Sequence, residues 1–269
     1  MKLSIITINY NNKEGLQKTI DSVVCQTWHD FEWIVIDGGS TDGSKELIEQ
    51  YQQHFAYWCS EPDKGVYNAM NKGIDHAHGE YVNFMNSGDI FHDSKVLETI
   101  FGKELYGDIL IGQVKCMGEN RIVNQFSTNC IVDWKRVNEG FCHQGTLTKL
   151  ELMKSHPFDE TLKIVADWKF LCQTIIFENK SIQNLEFIVA DYDLNGISTD
   201  PQNEEIFRME REFVKNSLFP PILLKELQAY QTLRNTPYVF NMRYLERNSH
   251  CVFVFLRKII SFFFRIASK

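Results

Sequence analysis

Two short stretches of the chain carry residue types able to do chemistry. Phe84-Met85-Asn86-Ser87-Gly88-Asp89-Ile90-Phe91 sets an amide, a hydroxyl, a glycine and a carboxylate between apolar flanks. Asp37-Gly38-Gly39-Ser40-Thr41-Asp42-Gly43 follows the apolar run Phe31 to Ile36 in the same way. A plain turn explains the Gly and Asn residues, which tolerate left-handed backbone angles. It does not explain why both stretches follow strand-like runs, at the end where open α/β sheets bind ligands. Together with Asn9 to Asn12, they predict three loops on one sheet rim. A ligand there would meet the Asp37 carboxylate, amide side chains and bare glycine backbone. Taken alone, Asp37 also fits a turn or cap residue. The glycine run is not G-x-G-x-x-G, which argues against a dinucleotide fold.

The elements that must position these loops follow from periodicity. Leu3 to Ile8 is a β-branched apolar run broken at Asn9, and Leu16, Ile20, Val23 and Val24 recur at helical spacing. Phe31 to Ile36 predicts a second strand, with Ser44 capping a helix through Tyr51. Tyr57 to Cys59 reads as a third strand, Val66 to Ala77 as a helix and Glu80 to Met85 as a fourth strand. Strands alternating with helices predict a parallel sheet with βαβ crossovers. Beyond residue 105 the pattern is less regular: strands at 109–114, 121–126 and 182–189, and a helix at 166–177. Residues 201–240 read as polar helix with a break at Pro220-Pro221.

Composition bounds the function. The chain has 269 residues, 43% hydrophobic and 23% charged, as in ordinary soluble domains. A net charge of −7 gives no basic face for nucleic acid. Seven cysteines without a C-x-x-C pair read as reduced, mostly buried thiols in a cytosolic protein, not a zinc site. The opening MKLSIITINYNN has too short an apolar run for a secretory leader.

The stretches SIITINYNN, QTWHDFEWIVIDGGSTDGS, SEPDKGVYNAMNKGI, GEYVNFMNSGDIF, HQGTLTK, FDETLKIVADWKFL and NGIS stand in that order over residues 4–198. In this they resemble the family-2 inverting glycosyltransferases, most of all the branch that builds bacterial capsule, O-antigen and colanic-acid-type polysaccharides. The resemblance implies an α/β GT-A fold over residues 1–200, a Rossmann-like, mostly parallel sheet flanked by helices. Residues 201–269 would form a helical C-terminal extension. It implies a UDP- or GDP-sugar donor across the rim, held by Thr7, Asn9, Tyr10, Asn11, Asp37, Gly38, Lys64, Gly65 and Asn86. The family often has a second acid where Gly38 stands, so base recognition is lost or rebuilt here. Lys64 fits a phosphate contact or a solvated lysine equally.

In the family the 86–89 corner holds a divalent cation, Mg²⁺ or Mn²⁺, against the diphosphate. Asn86 and Gly88 stand where acids are common, which leaves Asp89 as the expected metal ligand. The resemblance makes Asp167 the base that deprotonates the acceptor hydroxyl. It sets His143 and Gln144 on the acceptor side; Trp168 fits sugar stacking or the core. The acceptor would be a saccharide, lipid-linked in surface polysaccharide assembly.

The tail has its own pattern. From Asn241 to Lys269 there are six basic residues and one acid, Glu246, interleaved with Val252, Phe253, Phe255, Leu256, Ile259, Ile260 and Phe262 to Phe264. Residues 238–269 predict an amphipathic helix lying on the inner face of the cell membrane, or packing on protein. Arg257-Lys258 interrupts it too early for a span. A nucleotidyltransferase and a non-catalytic sugar-nucleotide or scaffold module are the rival readings. The first would want a Gly-rich basic loop near the start, which LSIITINYNNKEG lacks.

Overall fold

A computed structural model describes residues 1–123, 140–235, 249, 251–252 and 254–259. The chain divides into two compact units, Met1–Arg211 and Glu212–Lys269.

The first unit alternates β1 (Leu3–Asn9), α1 (Lys13–Val24), β2 (Phe31–Asp37), α2 (Ser44–Tyr51), β3 (Tyr57–Ser60), α3 (Val66–Asp75) and β4 (Tyr81–Phe84). Every residue of β1 and β4 is buried. Helices cover both faces of such a sheet, so its strands are buried along their whole length rather than alternating. Asn12 starts α1 by accepting from Gly15 N–H at 3.1 Å. Leu16, Ile20 and Val23 then face the core, each contributing roughly 1.5–3 kcal/mol by burial. Asp42, not Ser44, starts α2: its carboxylate accepts from Ser44 N–H at 3.0 Å.

The parallel half runs β3-β2-β1-β4, with Asn9 beside Asp37 and Asp37 beside Ser60 in register. Beyond it come β5 (Ile90–Phe91), α4 (Val96–Phe101), β6 (Ile109–Cys116), β7 (Ile122–Val123), β8 (Thr146–Lys149) and α5 (Leu150–Ser155). The first unit closes with α6 (Ala166–Leu171), β9 (Ile182–Tyr192) and the first turns of α7 (Glu204–Leu218). Among the described residues one sheet results, in the order β3-β2-β1-β4-β8-β6-β9-β5, with β7 on β6. β8 runs antiparallel to both β4 and β6, which ends the simple βαβ pattern. β5 pairs antiparallel with β9, Ile90 opposite Asp191, so the end of β9 lies against the 86–89 corner.

The expected helix at 166–177 is α-helical only to Leu171; Cys172–Phe177 widen into π-type turns. The expected strand at 121–126 is seen at Ile122–Val123, and 124–126 lie outside the described residues. In the second unit α8 (Pro221–Asn235) begins at Pro221, where a missing N–H costs nothing. Of six free cysteines among the described residues only Cys116 and Cys172 are buried, while Cys25 and Cys251 are exposed. Most of the predicted tail helix lies outside the described residues. Val252, Phe255 and Ile259 are exposed, as are Arg257 and Lys258. No helix among the described residues is long and apolar enough to cross a membrane.

Candidate functional site

The first rim loop is organised around Asp37. This residue is fully buried, and its Oδ1 accepts from Asn9 Nδ2 (2.7 Å) and Ser40 Oγ (2.5 Å). Its Oδ2 accepts from Ser40 N–H (2.9 Å) and Ser60 Oγ (2.6 Å). Burial alone would raise the carboxyl above its usual range; the bonds from Ser40, Ser60 and Asn9 outweigh it and hold it lower. Asp37 is therefore an ionised keystone with no lone pair left for a ligand. Thr7 is likewise internal: its hydroxyl donates to Met85 O (2.8 Å) and accepts from Trp33 Nε1 (3.0 Å). Of the expected donor-binding set, Tyr10, Asn11, Lys64 and Gly65 are exposed on the rim, while Thr7, Asn9 and Asp37 build the layer beneath. Lys64 has no side-chain partner among the described residues. Gly65 (φ 119°) has open space where a side chain would stand.

The second loop is the 86–89 corner. Asn12 Nδ2 donates to Ser87 O at 3.0 Å and ties it to the first loop. Thr19, on the buried face of α1, accepts from Gly88 N–H (3.1 Å) and lies 2.8 Å from Asp89 O. Asp89 is 4% exposed, its Oδ2 accepting from Gln144 Nε2 (2.9 Å) and its Oδ1 from Asp193 N–H (3.0 Å). Burial pushes its carboxyl up to about 6, against the pull of the His143 charge and these two bonds.

Both oxygens of Asp89, the expected metal ligand, thus meet protein donors. The carboxylate over the corner is Asp193, from the end of β9. Its Oδ2 stands 2.8 Å from where a Gly88 side chain would begin, and its Oδ1 accepts from Asn195 N–H and Nδ2. Asn86 Oδ1 is buried without a hydrogen-bond partner. Among the described residues no three His, Cys, Asp or Glu side chains form a ready metal cage. Asn86 Oδ1 and Asp193 Oδ2 are nevertheless two hard oxygens of the kind a hydrated divalent cation accepts.

The third part is Asp167, at the start of α6. Its Oδ1 accepts from Trp168 N–H (2.8 Å), and the Tyr67 hydroxyl stands 3.0 Å away. That hydroxyl is also 2.6 Å from Ile164 O. Burial, then the charge of Asp167, drives Tyr67 well above its usual range, so it stays a neutral donor. Oδ2 of Asp167 faces His143 Nδ1 at 3.5 Å, and His143 Nε2 lies 3.0 Å from Asn86 Nδ2. Asn86, His143 and Asp167 thus form a continuous line from the corner to the helix.

Burial pushes the thiol of neighbouring Cys142 up to about 12, so it is protonated and no nucleophile. Gln144, expected on the acceptor side, is buried and clamps Asp89 through Nε2. Trp168 is 3% exposed, with the Arg211 guanidinium 3.7 Å over its ring, so it is core and not a free sugar platform. Glu210 on α7 accepts from Lys163 and Ile164 N–H and fixes the approach to Asp167. Sequence reasoning missed Tyr67, Thr19 and Asp193. Only the fold brings them to the site.

The arrangement offers a half-exposed carboxylate held by fixed donors, facing a polar corner on an α/β rim. The profile described as "Glycosyl transferase family 2" matches residues 4–128. An uncharacterized glycosyltransferase of Mycobacterium tuberculosis is 33% identical over 218 residues, covering 76% of this chain and 80% of its own. A PGL/p-HBAD biosynthesis glycosyltransferase of Mycobacterium bovis is 26% identical, covering 76% and 82%. Among solved structures, S. aureus TarS in complex with UDP-GlcNAc is similar with a TM-score of 0.64 at 21% identity, covering 78% of this chain and 65% of TarS. The mannosyltransferase PcManGT of Pyrobaculum calidifontis, in complex with GDP-Man and Mn²⁺, gives a TM-score of 0.55 at 14% identity, covering 89% and 82%.

Proposed function

Since this chain belongs to glycosyl transferase family 2 and is a glycosyltransferase of GT-A-like fold, we propose that it moves a sugar from a UDP- or GDP-sugar to a saccharide acceptor with inversion. The observation that carries this reading is the state of Asp167: Oδ1 tethered by Trp168 N–H beside the Tyr67 hydroxyl, Oδ2 left facing the corner. A carboxylate so held can take the acceptor's hydroxyl proton onto Oδ2 as that oxygen bonds to the anomeric carbon. The bond from the anomeric carbon to the diphosphate breaks as the new one forms, and its electron pair leaves on the phosphate oxygen. Attack opposite the leaving group inverts the centre. His143 beside Oδ2 orients the base and compensates its charge.

The donor's diphosphate would lie at the corner, with Lys64 and the open backbone of Gly65 within its reach. A divalent cation there, Mg²⁺ or Mn²⁺, would neutralise the charge that develops on the departing diphosphate. The residues fit one: Asn86 Oδ1 lacks a partner, and Asp193 Oδ2 fills the space above Gly88. TarS with UDP-GlcNAc and PcManGT with GDP-Man and Mn²⁺ support the same chemistry.

We assign the acceptor to lipid-linked saccharides of bacterial surface polysaccharide assembly, and the protein to the cytoplasmic membrane surface. The six basic residues among the aromatics of 241–269 support this placement, because anionic headgroups attract such a stripe. The deciding assay offers UDP- and GDP-sugars with Mn²⁺ and follows nucleoside diphosphate release. Release that requires Asp167 is the expected result. No release from any donor, with or without saccharide acceptors, contradicts the assignment.

A further inference from the structure

The segment 156–165, between α5 and α6, has neither helix nor strand, yet it delivers Asp167. Its first half is held by α3. Asn71 Nδ2 donates to Phe158 O and to Glu160 Oε1, both at 2.9 Å, and Asn71 Oδ1 accepts from Phe158 N–H at 2.9 Å. Asn68 Nδ2 donates to the other oxygen of Glu160, also at 2.9 Å. The second half is held by α7. Glu210 accepts from Lys163 N–H through Oε1 (2.6 Å) and from Ile164 N–H through Oε2 (2.9 Å). Two charge-assisted bonds from one planar carboxylate fix both the position and the tilt of that backbone. The carbonyl of the same Ile164 meets the Tyr67 hydroxyl (2.6 Å), which also stands 3.0 Å from Asp167 Oδ1. One residue along α7, Arg211 lays its guanidinium 3.7 Å over the Trp168 ring and 5.3 Å from the Phe207 ring. Successive residues of α7 thus grip the chain just before Asp167 and just after it, all within the first unit.

We propose that Glu210 is a positioning residue of the transfer reaction: through Ile164 and the Tyr67 hydroxyl it sets where Asp167 Oδ2 meets the acceptor hydroxyl. This rests on Asp167 being the base, as proposed above. The working site thereby extends into α7, although residues from 201 on carry none of the seven family-like stretches. Glu210 touches neither substrate nor the reacting atoms, so its effect is on geometry. A base displaced by about 1 Å loses on the order of 100-fold in rate.

The test uses the full chain with Mn²⁺ and whichever UDP- or GDP-sugar the wild type turns over. Glu210→Ala should lower kcat by about 10- to 100-fold and leave donor KM within about threefold. Glu210→Gln, which keeps one acceptor oxygen, should recover part of the loss. In a Tyr67→Phe background the same Glu210→Ala change should cost at least about threefold less than it does alone, because the path to Asp167 is already cut. Hydrogen exchange of the amides at 163–168 should quicken about tenfold or more in Glu210→Ala and stay unchanged in β1 to β4, which separates a loosened loop from an unfolded protein. An unchanged kcat, unchanged exchange at 163–168, or losses that multiply in full with Tyr67→Phe overturn the role of Glu210 and leave Asp167 as the base. A wild type that turns over no donor overturns the glycosyl-transfer reading and this inference together.

Discussion

Oδ2 of Asp167 lies 3.5 Å from Nδ1 of His143, whose other ring nitrogen reaches the Asn86 amide at 3.0 Å. One imidazole therefore connects the carboxylate of α6 with the corner that follows β4. Asn86 Nδ2 meets one ring nitrogen of His143, Nε2, and leaves the other, Nδ1, toward Asp167. Replacing it should disturb the base more than the donor site. His143→Ala is expected to lower kcat by about 10- to 100-fold and leave donor KM within about threefold. His143→Gln, which can still donate, should recover part of the loss. Steady-state kinetics of both variants check this; a loss confined to KM contradicts it.

Asp37 gives a stability prediction. Four hydrogen bonds converge on a buried charge, so Asp37→Asn should cost about 2–4 kcal/mol at pH 7. The carboxyl is held below its usual range in the folded protein. Its contribution is complete above the unfolded value of about 4 and fades as pH falls further. Denaturant unfolding of both proteins should show the gap narrowing from pH 7 to pH 3. A gap that widens on acidification would be inconsistent with this.

Asp193 should act at the corner. Asp193→Asn is expected to weaken Mn²⁺ binding in the presence of UDP about tenfold, read by electron paramagnetic resonance of the free ion. An unchanged Mn²⁺ titration would remove Asp193 from the cation site.

The C-terminal stripe predicts adhesion. Full-length chain should sediment with vesicles rich in phosphatidylglycerol and not with neutral phosphatidylcholine ones, each basic residue near the surface adding about 1 kcal/mol. Removing residues 241–269 should abolish sedimentation. Equal sedimentation of both proteins would count against the membrane role.

Much of this architecture was legible in the chain. Leu3 to Ile8 and Phe31 to Ile36 are apolar runs ended by Asn or Asp-Gly, and α2 spans Ser44–Tyr51 as its pattern predicts. The corner at 86–89 announced itself by polar residues placed between two strands. What each polar residue does was less visible. Thr7 and Asp37 look available in one dimension, yet a sheet covered on both faces buries them; Gln144, in a turn, and Trp168, on α6, are buried by packing that only the fold supplies. Asp193 and Gly88 become neighbours only because Ile90 pairs with Asp191, a long-range register that no local pattern encodes. Tyr67 looks like one more apolar position of α3 until α6 sets Asp167 against its hydroxyl.

The central claim is that Asp167 is the base, and one comparison addresses it. Asp167→Asn keeps the size of the side chain and can still accept from Trp168 N–H, but removes the proton acceptor. Nucleoside diphosphate affinity should stay within about threefold of wild type while kcat for sugar transfer falls on the order of 10³-fold. Turnover near the wild-type rate with affinity intact would show that another group takes the proton.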